Sequence, residues 1–222
     1  MAHPRSSVSP LWGERRLEGQ SYCRDVNKMT LLVGATLLIS LVGCSSADLE
    51  KAQPTPTRDA GPIILTDSDA AVRYLSIVCD NNAAGDALYA AFTAGEAVYL
   101  DGGTPDLASL KSAASASLDL NRSAIELLED EYFAWPENVA EHITFVRQGY
   151  MAGLSQLDGI INAATFEEAY GTPSPVLTPE QDAAGQEVRY QLGLDADTTA
   201  SCTDSLGGIA ILMEEKSARD AD

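Results

Sequence analysis

An apolar run without charges divides this chain and limits which part of it can form a folded domain. Residues 29–43 carry no charged side chain, and Lys28 stands directly before them. A positive flank, a short apolar run and a small residue at its end are typical of a secretory signal peptide. The run is shorter than the about 20 residues that a membrane-spanning helix needs. We therefore expect residues 1–43 to be a signal peptide that is removed on export.

The residues at the end of this run carry a specific pattern. Leu41, Val42 and Gly43 stand directly before Cys44. This sequence resembles the lipobox of bacterial lipoprotein precursors. The resemblance implies that a diacylglyceryl group is attached to the Cys44 sulfur and that the bond after Gly43 is then cleaved. Because two or three acyl chains give stable attachment, the lipid on Cys44 would hold the protein at the cell membrane, on its extracytoplasmic side. The alternative is a buried helix with an ordinary core cysteine.

The segments around the signal differ in composition. Residues 1–28 are polar and would make an unusually long N-terminal region for a signal peptide. One hypothesis therefore places the true translation start near Val26. Residues 44–65 are rich in small polar residues and contain three prolines, which predicts a lipid-anchored tether. A coil of about 20 residues spans roughly 25 Å. Residues 66–222 are predicted to form one acidic helical domain.

Charge excludes one class of partner. The formal net charge is -19, and the segment from Cys44 onward holds 9 Lys/Arg against 30 Asp/Glu, a balance of −21. Such a domain is repelled by nucleic acid and by anionic lipid head groups. We expect no nucleic-acid partner. The acidity is interpreted as a solubility feature outside the cell, with attraction of a cationic partner as the alternative.

Apolar residues recur at steps of three and four, the spacing of one helix face. The first predicted helix covers residues 67–100, with Gly95 as a candidate break. Its predicted inward face is Ala71, Leu75, Val78, Asn82, Gly85, Tyr89 and Phe92. The third predicted helix starts at Trp135 and Pro136. It has the most regular face of the chain, namely Val139, Ile143, Val146, Tyr150, Leu154, Leu157 and Ile161.

Helix-start signals place two further helices. Thr104 precedes Pro105, which predicts Thr104 as the N-cap of a second helix that ends near Leu128. Thr178 and Gln181 have the spacing of a capping box, and the helix that they open is predicted to run to about Leu192.

The predicted fold class is all-α, since no segment alternates with the period of a strand. Short loops between successive helices favour an antiparallel bundle of four main helices. Residues 206–213 are apolar, and both a fifth helix and a strand-like lid fit them.

Cysteine usage indicates one disulfide bond. Cys23 falls in the discarded leader and Cys44 takes the lipid, so Cys79 and Cys202 remain in the exported domain. Two remaining cysteines in an oxidising compartment predict a disulfide. Two buried free thiols are the competing interpretation.

Residues suited to chemistry are sparse after processing. His142 is the one histidine of the mature chain, so no metal and no cofactor is predicted. The acidic cluster Glu126, Glu129, Asp130 and Glu131 fits a solvated face or a cation site. No sequence motif of a nucleophile, a phosphate-binding loop or a metalloprotease occurs, so we do not expect an enzyme. Asn82 and Asn121 interrupt apolar stripes, either to fix helix register or to line a small ligand pocket.

A second resemblance covers the domain. A helix with Tyr74, Leu75, Val78 and Cys79, a helix start at Trp135 and Pro136, and the sequence Leu192-Gly193-Leu194 before Cys202 resemble small uncharacterised lipoproteins of actinobacteria. Because no activity is assigned to that group, the resemblance implies none for this chain. The sequence therefore predicts a membrane-anchored extracytoplasmic lipoprotein, a binding or interaction module for an unknown protein or small molecule. The alternative is a cell-envelope enzyme with an unrecognised active site.

Overall fold

A computed structural model describes residues 61–221, and this part of the chain is mostly helical, as predicted. The elements in chain order are β1 (Ile63–Ile64), α1 (Asp67–Leu100), α2 (Leu107–Leu128), β2 (Phe133–Ala134), α3 (Glu137–Asn162), α4 (Phe166–Tyr170), α5 (Pro179–Gln191), α6 (Thr198–Cys202) and α7 (Gly208–Asp220). Residues 206–213 thus belong mainly to a helix, not to a strand-like lid. The predicted signal peptide, Cys44 and most of the predicted tether lie outside the described residues.

The long helices pack on one another in chain order. Helix α1 lies against α2, α2 against α3, and α3 against α5, while α7 packs on both α1 and α2. Two clusters of buried side chains fill the interior. The larger cluster includes Tyr74, Ile77, Leu127, Val139 and Val188, and the second includes Leu110, Leu157, Ile160 and Phe166.

The predicted inward face of α1 is confirmed at Val78, which is buried, and is wrong at other positions. The structure buries Ala70, Tyr74, Ile77, Val78 and Asn81, whereas Asn82 and Tyr89 are exposed. Apolar residues occur on every side of this helix, so more than one stripe satisfies the helical spacing. Tertiary packing decides between them. The regular face of α3 is confirmed at Val139, Ile143 and Leu157, which are buried.

One predicted helix start is confirmed and one is corrected. Thr178 and Gln181 form both bonds of a capping box, with Gln181 N donating to Thr178 Oγ1 (3.3 Å) and Thr178 N donating to Gln181 Oε1 (3.0 Å). Thr104 is not the N-cap of α2. Asp106 takes that place and accepts from Ser109 N (3.1 Å). A tight turn from Leu107 N to the Pro105 carbonyl (3.0 Å) keeps Thr104 outside the helix.

The end of the predicted tether belongs to the fold. Ile63 N donates to Tyr132 O (2.9 Å), and Leu65 N donates to Ala134 O (2.9 Å), so β1 lies parallel to β2. Each strand has two residues, which is too short to show alternation in a sequence. These bonds fix the place at which the chain arrives at the helical domain.

The start of α7 is held tightly on α1. Asp80 accepts from Gly207 N (2.7 Å) and from Ile209 N (3.0 Å), which satisfies two amides at the helix start. Gly207 has a φ of 82°, a left-handed conformation that favours glycine. At Gly208, a Cβ would lie 2.6 Å from Cα of Ser76, so α7 meets the α1 backbone there without an intervening side chain.

Gly208→Ala is expected to lower the free energy of unfolding by about 1–3 kcal/mol, because the added methyl group overpacks a backbone contact. Urea unfolding followed by circular dichroism measures the change. Gly149→Ala is the matched control, since a Cβ at Gly149 meets nothing within 4 Å in the middle of α3. That control should be stabilised by about 0.5–1 kcal/mol. Equal stability of the two variants would contradict the close approach.

Candidate functional site

The two cysteines predicted to pair are brought together. The sulfur atoms of Cys79 in α1 and Cys202 in α6 lie 2.10 Å apart, at disulfide distance, and both residues are buried. Cys202 follows the Asp197 cap of α6, whose carboxylate accepts from Thr199 N (2.8 Å). The pair therefore ties the segment before α7 to the first helix. Cys44, the predicted lipid site, lies outside the described residues.

The acidic cluster at the end of α2 is a set of counter-ions for other elements. Glu126 pairs with Lys216 of α7 (3.4 Å), and Glu129 pairs with Arg147 of α3. The Asp130 side chain is only 8% exposed, whereas Glu131 is exposed and fits the interpretation of a solvated face. The sequence shows these acids but not which basic residues pair with them, because the pairing residues lie in helices distant along the chain.

Asp130 holds two arginines at once. Its Oδ2 lies 3.3 Å from Arg73 of α1 and 2.5 Å from Arg219 of α7. The Arg73 guanidinium also lies 4.2 Å from the centre of the Phe133 ring, and that of Arg219 lies 4.5 Å from the Tyr132 ring. Burial lowers the pKa of Arg73, and the Asp130 charge opposes this effect. The group joins α1, β2 and α7, which is a structural role.

A second buried polar group surrounds Arg189 of α5. Its Nη1 donates to Asp195 O (3.0 Å) and to Ser201 Oγ (2.5 Å), while Nη2 is buried without a hydrogen-bond partner among the described residues. The Tyr74 hydroxyl donates to Gly185 O (3.2 Å). Burial raises the pKa of Tyr74 to about 12 and also raises that of Tyr150. The sequence pattern does not reveal this group, because arginine on a surface helix usually points to solvent.

The raised pKa of Tyr74 predicts a loss of stability at high pH. Its phenol ionises at about pH 10 in the unfolded chain and at about 12 in the fold, so its contribution is full below pH 10 and falls as pH rises to 12. The loss amounts to about 3 kcal/mol. Urea unfolding at several pH values measures it. Tyr74→Phe should flatten this decline, and the exposed control Tyr190→Phe should not; equal slopes would contradict the prediction.

An open groove of about 420 Å³ runs between α3 and α5. Glu141, His142 and Phe145 line one side, and Pro179, Glu180, Ala183 and Glu187 line the other. His142 is half-buried there, as expected for a histidine beside an apolar helix face. Neither Asn82 nor Asn121 lines the groove, so these amides do not form the predicted ligand pocket with it.

The described part of the chain contains neither a cluster of metal-binding side chains nor a membrane-spanning helix. Within residues 61–221, no group of three or more His, Cys, Asp or Glu side chains is arranged to hold a metal ion. None of the helices in the same range is long and apolar enough to cross a membrane.

Four aromatic side chains meet where the second half of α1 faces α4, and we call them the aromatic tip: Phe92, Tyr99, Phe166 and Tyr170. The Phe166 ring centre lies 5.9 Å from that of Tyr99 and 6.0 Å from that of Tyr170. Gly95 allows this packing, since a Cβ there would lie 2.4 Å from the Phe166 ring. The Tyr170 hydroxyl donates to Glu96 Oε1 (2.9 Å).

The aromatic tip is only partly covered by the protein. Tyr99 is 47% exposed and Tyr170 is 55% exposed, and the neighbouring Leu100 is 75% exposed. The tip lies near the end of α1, whereas β1 lies at its start. A helix of 34 residues is about 50 Å long, so the length of α1 separates these two features.

Comparisons with known proteins give no further identification. No family model, no curated protein and no solved structure matches this chain. The residues of the sites themselves therefore carry what can be inferred about function.

Proposed function

We propose that this chain is a lipid-anchored extracytoplasmic interaction module, held to the membrane through Cys44, that presents the aromatic tip to a partner. The observation that carries the interaction role is the exposure of Tyr99, Leu100 and Tyr170 at the end of α1 remote from β1. Contiguous exposed apolar surface is a mark of interaction sites in soluble domains.

The anchoring half of the proposal rests on the sequence. An apolar run, its cationic flank and the residues before Cys44 resemble a lipoprotein signal, and a proline-containing segment separates Cys44 from β1. The composition of that segment is typical of a tether. An acidic domain on such a tether stands off an anionic lipid surface, because like charges repel.

The buried polar groups support an interaction role over a catalytic one. Asp130 is engaged by two arginines, and Arg189 connects α5 to Asp195 and Ser201. Both groups join elements of the fold and are shielded from solvent. The aromatic tip differs from these buried groups, because about half of the surface of Tyr99 and of Tyr170 is exposed to solvent.

The proposal includes a more specific architecture. We infer that α1, α2, α3 and α5 form an antiparallel bundle, with α7 packed on the outside. Short connections between α1, α2 and α3 and their packing in chain order support this arrangement. Spin-label distances between residues 70 and 127 should then be shorter than those between residues 70 and 110; the reverse order would overturn it.

A cell-envelope enzyme is the second candidate. The groove between α3 and α5 favours it, because His142 lies there beside Glu141 and Glu187. Imidazole next to carboxylates is the usual equipment for proton transfer. A cellular phenotype that His142→Ala abolishes and that tip variants leave intact would favour this candidate over the interaction module.

Anchoring and interaction are tested separately in cells. The full chain and its Cys44→Ala variant are grown with labelled palmitate and fractionated; wild type should carry label in the membrane fraction, and the variant should carry none. A photo-crosslinking amino acid is placed at Tyr99 and, as a control, at the exposed Val176. Adducts from position 99 alone support the interaction role. Unlabelled wild type overturns the anchoring, and adducts of equal yield from both positions overturn the role of the tip.

A further inference from the structure

We propose that the aromatic tip docks a segment of another envelope protein that carries arginine or lysine beside apolar side chains. This inference rests on the proposed interaction role and adds the chemistry of the partner. Its basis is the combination of two half-exposed tyrosine rings, a carboxylate bonded to one of them and the net negative charge of the domain.

The tip has the groups that recognise an organic cation next to apolar surface. Glu96 lies one helical turn from both Phe92 and Tyr99, so its carboxylate shares their face of α1. The Tyr170 hydroxyl fixes that carboxylate through its hydrogen bond of 2.9 Å. The electron-rich faces of tyrosine rings attract guanidinium and ammonium groups. Leu100, beside Tyr99, extends the apolar surface for the rest of the segment.

Charge complementarity selects the partner. Most basic side chains of residues 61–221 are engaged within the fold. Ion pairs with other elements engage Arg73, Arg147, Lys216 and Arg219. Arg189 is buried. The outer surface is therefore dominated by carboxylates, which attract a cationic segment and repel both a second copy of this chain and anionic lipid.

Isothermal titration of the full chain with two synthetic peptides tests the proposal. One amphipathic peptide contains leucine and arginine, and its counterpart contains leucine and glutamate. We expect only the first to bind, and Tyr99→Ser with Tyr170→Ser should weaken it by about tenfold or more. Glu96→Gln should weaken it several-fold, because the amide oxygen still accepts from Tyr170 but the charge is lost.

Matched controls separate the tip from general acidity. Tyr190→Ser removes another exposed tyrosine and Glu131→Gln another exposed carboxylate, and both should leave the affinity within about twofold. Equal losses in these controls, or equal binding of the glutamate peptide, overturn the inference. Self-association of the free chain that Tyr99→Ser abolishes assigns the tip to a second copy, and tip-dependent binding to phosphatidylcholine vesicles assigns it to lipid; either result overturns it too.

Failure of this inference can be told from failure of the proposed function. The titration uses the full chain in nonionic detergent and gives the same readout with or without lipid on Cys44. Circular dichroism of each variant confirms that the helices are retained. If position 99 forms crosslinks but the arginine peptide does not bind, the protein is still an interaction module, but its partner is not a cationic segment.

Discussion

Removal of the Cys79–Cys202 link is expected to lower the free energy of unfolding by about 5 kcal/mol in the chain-entropy treatment of disulfides. The two cysteines are separated by 123 positions in the sequence, and a link across so long a segment restricts the unfolded chain strongly. Urea unfolding of the oxidised wild type and of the Cys79→Ala, Cys202→Ala double variant measures the difference. The loss of stability should come mainly from the greater conformational entropy of the unfolded variant, since α6 keeps its Asp197 cap in the folded variant.

Reductant provides the internal control for this prediction. Dithiothreitol should move the urea midpoint of the wild type toward that of the double variant and should leave the double variant unchanged. A wild type whose midpoint is the same with and without reductant under unfolding conditions would show that the two sulfurs are not bonded in the protein.

Asp130→Asn is expected to destabilise the domain by about 3–5 kcal/mol, the usual cost of leaving a buried charge without its partner. Arg73 is the residue affected, because its side chain is only 7% exposed and Asp130 is its carboxylate partner. Arg219 is more exposed and can turn toward water. Urea unfolding of the variant measures the loss.

The neighbouring residue supplies the matched control. Glu131→Gln changes the same charge at an exposed position and should alter stability by less than about 0.5 kcal/mol. Arg73→Met combined with Asp130→Leu should recover part of the loss, since an apolar pair of similar volume often replaces a buried ion pair at little cost. If Asp130→Asn behaves like Glu131→Gln, the two-arginine arrangement does not hold α1 and α7 together.

Much of the helical fold could be predicted from local signals. The face of α3 and the capping box at Thr178 depend on residues within a few positions of each other, and both are confirmed. Part of the predicted α1 face and the predicted N-cap of α2 were wrong, for different reasons. Helix α1 is apolar on several sides, and Asp106 competes with Thr104 for the same cap.

The candidate sites depend on contacts between distant residues, which single-sequence patterns do not contain. The acids at the end of α2 are visible in the sequence, but their partners come from α1, α3 and α7. The sequence contains one signal of the aromatic tip. Phe92 and Tyr99 are seven residues apart and Phe166 and Tyr170 are four apart, so each pair occupies one helix face. That signal was missed because α4 has only five residues.

The most direct test of the central claim is the intact mass and N-terminal peptide mass of the protein extracted from membranes of the producing cell. We predict a mature chain that begins at Cys44, carries a diacylglyceryl group on its sulfur and lacks residues 1–43. A chain that retains residues 29–43, or that has an unmodified Cys44, would contradict the account of a lipid-anchored module.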